Sequence, residues 1–306
     1  MNIIGKKYIF LGFSAVLVLL SIFSIAYFGL RQGIDFQGGA LWQVAVSDES
    51  VDVAKLKEFF VNKLNIQDIV IVPEPTTQSF LIRLKETSEA DHVAYLTELQ
   101  KDYAQATELR FETIGPTIGG ELKSRAIWAF VFVLLGISLY IAFAFRKVSY
   151  PVSSWKYGAI TLLTLFHDAL IPAGLFALLG YLYNAEVDTN FVVAILVVMG
   201  FSVHDTIVVF DRIRENLRLE SGRKLDFRAL VNRSVNETIA RSVNTSLTLV
   251  LVLIMLYFFG TASLQYFVLT ILVGTTIGTY SSIFVASPLL TMWNKNDYNV
   301  SNINNS

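Results

Sequence analysis

The chain has 306 residues, a formal net charge of −1 and no cysteine; 54% of its residues are apolar and only 16% are charged. So small a charged share argues against a soluble globular domain and for a chain that lives in a bilayer. Without cysteine it can form no disulfides and no thiolate metal or nucleophile site.

The first apolar stretch, 8–30, carries no Asp, Glu, Lys or Arg, and about 20 such residues cross a ~30 Å hydrocarbon core. Its apolar run exceeds the ~7–15 residues of a signal-peptide core and no small-x-small cleavage motif closes it, so it reads as an anchor. Gly33, Gly38 and Gly39 follow around Ile34, Asp35 and Phe36. Their spacing matches no phosphate-cradling loop and predicts a backbone bend.

Segment 31–123 reads as a small domain. The run 41–46 is apolar and β-leaning, and 51–64 places Val53, Leu56, Phe59, Phe60 and Leu64 on one helical face. Short β runs at 69–72 and 79–84 flank a Pro, Thr and Gln turn, a helix is expected over 88–103, and 109–113 closes the pattern. The order β-α-β-β-α-β predicts a small ferredoxin-like α+β domain, large enough for one modest core. Gly115, Pro116, Gly119 and Gly120 then re-enter the membrane and read as a hinge beneath it.

Stretch 126–145 is again free of charge, 157–183 and 189–210 carry one acidic residue each, and 242–293 is uncharged and long enough for two crossings. The fold class expected is therefore α-helical membrane protein, with six transmembrane helices plus the small domain. Between spans four and five, Arg212, Arg214 and Arg218 continue the helix, Gly222 interrupts it, and Asp226 is a candidate N-cap for its restart. There Phe227, Leu230, Val231, Val235 and Ile239 recur opposite Arg228, Asn232, Arg233, Asn236 and Glu237, as an interfacial helix would show. Glycines 200, 274 and 278 with Ser202, Ser281 and Ser282 predict close helix approach in spans four and six.

The organisation is thus an N-terminus and first span (1–30), a domain (31–123), spans two to six (124–293) containing the segment 212–241, and a polar tail (294–306) that reads as disordered. Charge sets the expected orientation. Segment 31–123 holds 15 acids and 9 bases, whereas 212–241 holds 8 bases and 4 acids. Lys6, Lys7, Arg146, Lys147 and Lys156 lie in the other loops on the basic side. The positive-inside bias makes both termini cytoplasmic and the domain extracytoplasmic.

Ionisable groups inside spans are the strongest chemical signal, because each is costly in hydrocarbon unless it meets a partner or water. Asp168 follows His167 in the third span and Asp205 follows His204 in the fourth. At 1.5 Å per residue Asp168 lies roughly 18 Å from Lys156, and Asp205 roughly 10 Å from Arg212. Arg241, at the mouth of the fifth span, is long enough to reach toward Asp205. Two readings stand. A carboxylate that meets arginine in one conformation and not in another would relay protons, or these groups are buried polar pairs that only fix helix register. No catalytic triad, zinc spacing, Walker loop or nucleic-acid motif occurs, so neither an enzyme nor a cofactor is expected.

Three stretches carry a family resemblance: 33–39 reads GIDFQGG, 114–122 reads IGPTIGGEL, and 201–216 reads FSVHDTIVVFDRIREN. Their order resembles the SecF side of the SecD/SecF family, in the resistance-nodulation-division superfamily, over essentially the whole chain. The motif residues are Gly33, Asp35, Gly38, Gly39, Asp211 and Arg212. The resemblance implies a bacterial cytoplasmic (inner) membrane protein that pairs with SecD beside the SecYEG translocon, with YajC and YidC as further partners. It implies use of the proton motive force, or of sodium in some relatives, to help draw unfolded secretory polypeptide across the bilayer. It assigns the proton relay to Asp205 and Arg241, and less firmly to Asp168. His204 stands where the family often has Asn, so its expected part is in packing. Two other readings are half of an exporter of small molecules or lipids and a non-conducting translocon scaffold.

Overall fold

The structure, a computed structural model, describes residues 1–46, 51–74, 78–146, 152–220, 224–261, 264–293 and 298–299. The expected interruption at Gly222 and, apart from residues 298–299, the polar tail 294–306 lie outside them. Six helices are long and apolar enough to span a membrane: Ile4–Phe28, Pro116–Ala144, Ser154–Tyr183, Thr189–Leu219, Phe227–Phe259 and Gln265–Trp293.

Between the first two spans lies the domain. Its elements are α2 (Ile34–Gln37, after span helix α1, Lys7–Phe28), β1 (Gly39–Val46), α3 (Val53–Asn62), β2 (Val70–Glu74), β3 (Ser79–Leu84), α4 (Glu89–Asp102) and β4 (Ala106–Ile114). The sheet order is β2-β3-β1-β4 with every pair antiparallel, the split β-α-β unit that the sequence order predicts. Ala40, Trp42, Val44 and Val46 alternate along β1 into a core with Leu56, Phe60, Ile82 and Leu99, as a strand with one covered face must. Side-chain caps start the helices: Asp52 accepts from Lys55 N and Ser88 from Asp91 N.

The remaining spans are α5 (Pro116–Ala144), α6 (Ser154–Tyr183), α7 (Thr189–Leu219), α8 (Phe227–Phe259) and α9 (Gln265–Ser281). A π segment (Ser282–Ala286) leads from α9 into α10 (Ser287–Trp293). Helix α5 begins with Pro116 at its first turn, about ten residues before the apolar stretch; proline is preorganised for that position and its missing N–H costs nothing there.

Helix α8 corrects one expectation. Asp226 does cap it, accepting from Arg228 N and Ala229 N, both at 3.0 Å, but the helix runs unbroken into the fifth span. Its apolar face does not lie on a membrane surface: Phe227, Leu230, Val231 and Val235 are buried against Ile3, Phe210, Ile213 and Leu217. The polar face grips the N-terminus through Asn232, which accepts from Ile3 N at 2.8 Å, and Asn236, which accepts from the Met1 ammonium at 2.9 Å. An amphipathic pattern identifies a covered stripe, and here protein supplies the cover.

Glycine spacing is also sharpened. A Cβ on Gly274 or Gly278 would strike Val198 or Ser202, so α9 packs directly on α7, whereas Gly200 has nothing within 4 Å. Gly174 of α6, absent from the expected set, meets the backbone of Ser21, whose Cα would lie 2.4 Å from an added Cβ. Its carbonyl accepts from Ser24 Oγ at 2.7 Å.

Candidate functional site

Asp168 sits wholly buried where α6, α7 and α9 meet. Its Oδ2 accepts from Ser202 Oγ of α7 and, at 2.7 Å, from Ser281 Oγ of α9, while His167 Nδ1 lies 2.8 Å from Oδ1. Two helix irregularities flank this junction. Pro172 has no N–H to give to the Asp168 carbonyl one turn back. The π segment opens directly after Ser281, and its Ser282 Oγ bonds Thr206 Oγ1 at 2.9 Å and donates to the Ser202 carbonyl at 3.3 Å. His167 is buried too, with Nε2 unpartnered among the described residues.

Asp205 lies one turn further along α7 and is only 2% exposed. It faces hydroxyls from α8 and α9. Ser246 Oγ donates to its Oδ2 at 3.4 Å, and Thr279 and Ser242 line the same side. That Ser246 hydroxyl is already committed, since it donates to the Ser242 carbonyl at 2.8 Å and bonds Thr279. Asp205 is therefore held loosely and Asp168 tightly.

Arg241 does not reach Asp205 in this conformation. Its neighbour Ser242 is buried on the Asp205 side while Arg241 itself is exposed; successive residues point about 100° apart around a helix. His204 is exposed, about 100° around α7 from Asp205. Asp211 is exposed, with Arg214 at 3.8 Å. Arg212 bridges α7 to α8 through Glu237 at 2.6 Å and bonds Glu215 at 2.7 Å, so it braces the helix pair.

The two glycine motifs come together under the domain. Gly38 and Gly39 adopt φ of +79° and +133°, conformations natural to glycine. Gly119 brings the first turn of α5 so close that a Cβ would lie 3.0 Å from Gly38 N and 3.2 Å from Phe36 C. Gly120 faces open space, and Gly115 is simply the N-cap of α5. The expected hinge is thus a packed joint in this state.

On its other side the joint clasps the loop between α6 and α7. Gly33 N donates to Val187 O at 2.9 Å, Val187 N to Arg31 O at 2.7 Å, and Thr189 N to Asp35 Oδ2 at 2.8 Å. Arg83 of β3 pairs with Glu186 of that loop. Burial pushes the Glu186 carboxyl above its ordinary value despite the adjacent Arg83 and Arg31, and burial likewise lowers Arg83. Both partners thus report desolvation outweighing attraction, which makes the pair a positioning contact rather than a stabilising one.

Among the described residues no His, Cys, Asp and Glu group could hold a metal.

The chain is similar to known proteins along most of its length. The family described as protein export membrane protein SecD/SecF, C-terminal, matches residues 94–296. The protein translocase subunit SecF of Thermobaculum terrenum is 41% identical, over 97% of this chain and 95% of its own. That of Anaerolinea thermophila is 36% identical, over 97% and 96%. A crystal structure of SecDF, a translocon-associated membrane protein from Thermus thermophilus, superposes with a TM-score of 0.83 at 35% identity over 97% of this chain. A crystal structure of SecDF in a super-membrane-facing form gives 0.67 over 96% at the same identity. The chain spans 39% and 38% of those two longer proteins.

Proposed function

The chain belongs to the SecD/SecF family of protein-export membrane proteins, and on that premise we propose that it is a SecF-type translocase subunit in which Asp205 exchanges a proton as helices move. It pairs with a SecD half beside SecYEG, with YajC and YidC as neighbouring subunits, and draws unfolded secretory polypeptide outward. Both termini and the basic segment 212–241 face the cytoplasm, and the domain faces outward.

The observation that carries this reading is the loose hydroxyl setting of Asp205 in a buried, membrane-depth position. Facing serines and threonine, the carboxyl is suited to its neutral form, because a buried charge without a counter-charge is expensive. A turn of α8 that carries Arg241 into the position of Ser242 would favour the ionised form, since an adjacent cation stabilises a carboxylate. Alternating the two arrangements, with opposite access, moves a proton and couples its passage to helix motion.

The joint supplies the lever. Asp35 and Val187 tie the start of α7 to the chain leaving α1, and Gly38 packs on the start of α5. Strands β1 and β4 emerge from that joint, so displacement of α7 tilts the domain. Protons or sodium ions both fit as coupling ion, and no cofactor enters the scheme.

The test is a pH-jump current across proteoliposomes containing the reconstituted complex. Asp205→Asn should leave the complex assembled while abolishing proton flux and export stimulation; wild-type flux in that variant refutes the mechanism.

A further inference from the structure

A cavity of about 410 Å³ opens between α5, α6 and α7 at the domain end of the bundle. Its walls include Ala126 and Phe130 of α5, Ala169 and Ala173 of α6 and Ile195 of α7, and Phe36 from the joint closes its end. Ile127 and Phe166 form its rim and are 57% and 49% exposed within spanning helices. The mouth therefore faces the lipid belt rather than bulk water.

Polar groups occur only at one end of this space. There Lys123 Nζ donates to Gln32 Oε1 at 3.1 Å, and Lys123 is exposed and paired with no carboxylate among the described residues. Lys123 stands one turn before Ile127, and exposed Trp128 follows, the signature of the level where headgroups begin. A cation at headgroup height above an apolar slot matches the two halves of one amphiphile.

A slot of this size, if left unfilled, would deprive its lining of dispersion contacts. Water is a poor filler for it, because a buried water needs two to four polar partners that these walls lack. Hydrocarbon drawn from the bilayer satisfies both conditions. We propose that this cavity is a binding site for one acyl chain of a phospholipid from the leaflet on the domain side, with the lipid phosphate held by Lys123.

The site goes beyond the proton-relay reading and needs only that the chain spans a bilayer. Because Phe36 and Asp35 belong to the same short helix, a lipid seated here wedges against the joint that carries the domain.

The intact protein with its associated subunits, in nanodiscs, is photolabelled with diazirine-acyl phosphatidylglycerol or with diazirine-acyl diacylglycerol, which has the same tail and no phosphate. Labelling by the phospholipid should concentrate on the peptide containing Ala169 and Ala173, and Ala173→Phe, which fills the slot, should remove it. The exposed change Lys123→Gln perturbs no packing. It should lower phospholipid labelling roughly fivefold, the effect of one basic residue at an anionic surface, and leave diacylglycerol labelling unchanged. Phospholipid labelling indifferent to Lys123→Gln overturns the proposal. So does a partner helix that cross-links to Ile127→Cys in place of lipid.

Discussion

Replacing Asp168 distinguishes a fastener from a charge carrier. In Asp168→Ala, Ser202 Oγ, Ser281 Oγ and His167 Nδ1 lose their common acceptor in a site with no exposure. Hydrogen bonds between membrane helices contribute ~0.6 kcal/mol on average and up to ~1.7 kcal/mol each. Three of them give about 2–5 kcal/mol, with the upper end favoured because the lost volume adds a cavity cost. Asp168→Asn keeps the volume. Its amide oxygen can still accept from both serines, and its NH2 can donate to His167 once the imidazole proton moves to Nε2, the atom that has no partner. That exchange should cost under about 1 kcal/mol. The assay is unfolding of the purified protein by SDS in mixed micelles, followed by tryptophan fluorescence. An Asn variant as damaged as the Ala variant would show that charge, not hydrogen bonding, holds the junction, and would refute the argument.

Two glycines one residue apart in α5 should behave oppositely. Gly119→Ala pushes a methyl against the backbone of Gly38 and Phe36 and should cost about 1–3 kcal/mol as overpacking does, whereas Gly120→Ala, facing open space, should gain up to ~1 kcal/mol from helix propensity; thermal unfolding of each variant decides. Arg83→Met or Glu186→Gln alone should loosen the domain by about 1–2 kcal/mol by stranding a half-buried partner, while the double variant should return close to wild type, read by proteolysis of the domain joint. The same glutamate sets a pH dependence. Its folded value lies above its ordinary 4.5, so the folded protein binds more proton than the unfolded chain in the window above 4.5. Stability from this group is full below that window and falls as pH rises through it. The slope of unfolding temperature against pH should flatten in Glu186→Gln.

What the sequence made legible was what repeats locally. Apolar runs marked the spans, alternation along 41–46 marked the inward face of β1, and Asp226 announced a helix start that its hydrogen bonds bear out. The partners of Asp168 were not legible, because Ser202 and Ser281 lie 34 and 113 residues away and a serine that bonds a carboxylate looks like one that merely packs. Gly174 hid for a similar reason: its counterpart Ser21 is in another helix, and nothing in either segment alone records the contact. The face of α8 was visible as a stripe, but a stripe does not say whether lipid or protein covers it.

Under the proposed relay, the contrast between the two carboxylates favours Asp205 as the exchanging one. Each oxygen of an aspartate can accept two bonds, and Asp168 has three donors from three sources that leave it no reason to move. Asp205 faces hydroxyls, Ser246 at 3.4 Å with Thr279 and Ser242 beside it, and the Ser246 hydroxyl is also engaged elsewhere. Releasing Asp205 from its present setting therefore breaks little, and a cation approaching from α8 could take over its oxygens without dismantling the helix junction. The same approach to Asp168 would have to displace α7 and α9 together. Export stimulation should accordingly survive Asp168→Asn and vanish in Asp205→Asn, although both changes remove a single buried carboxylate from neighbouring turns of the same bundle.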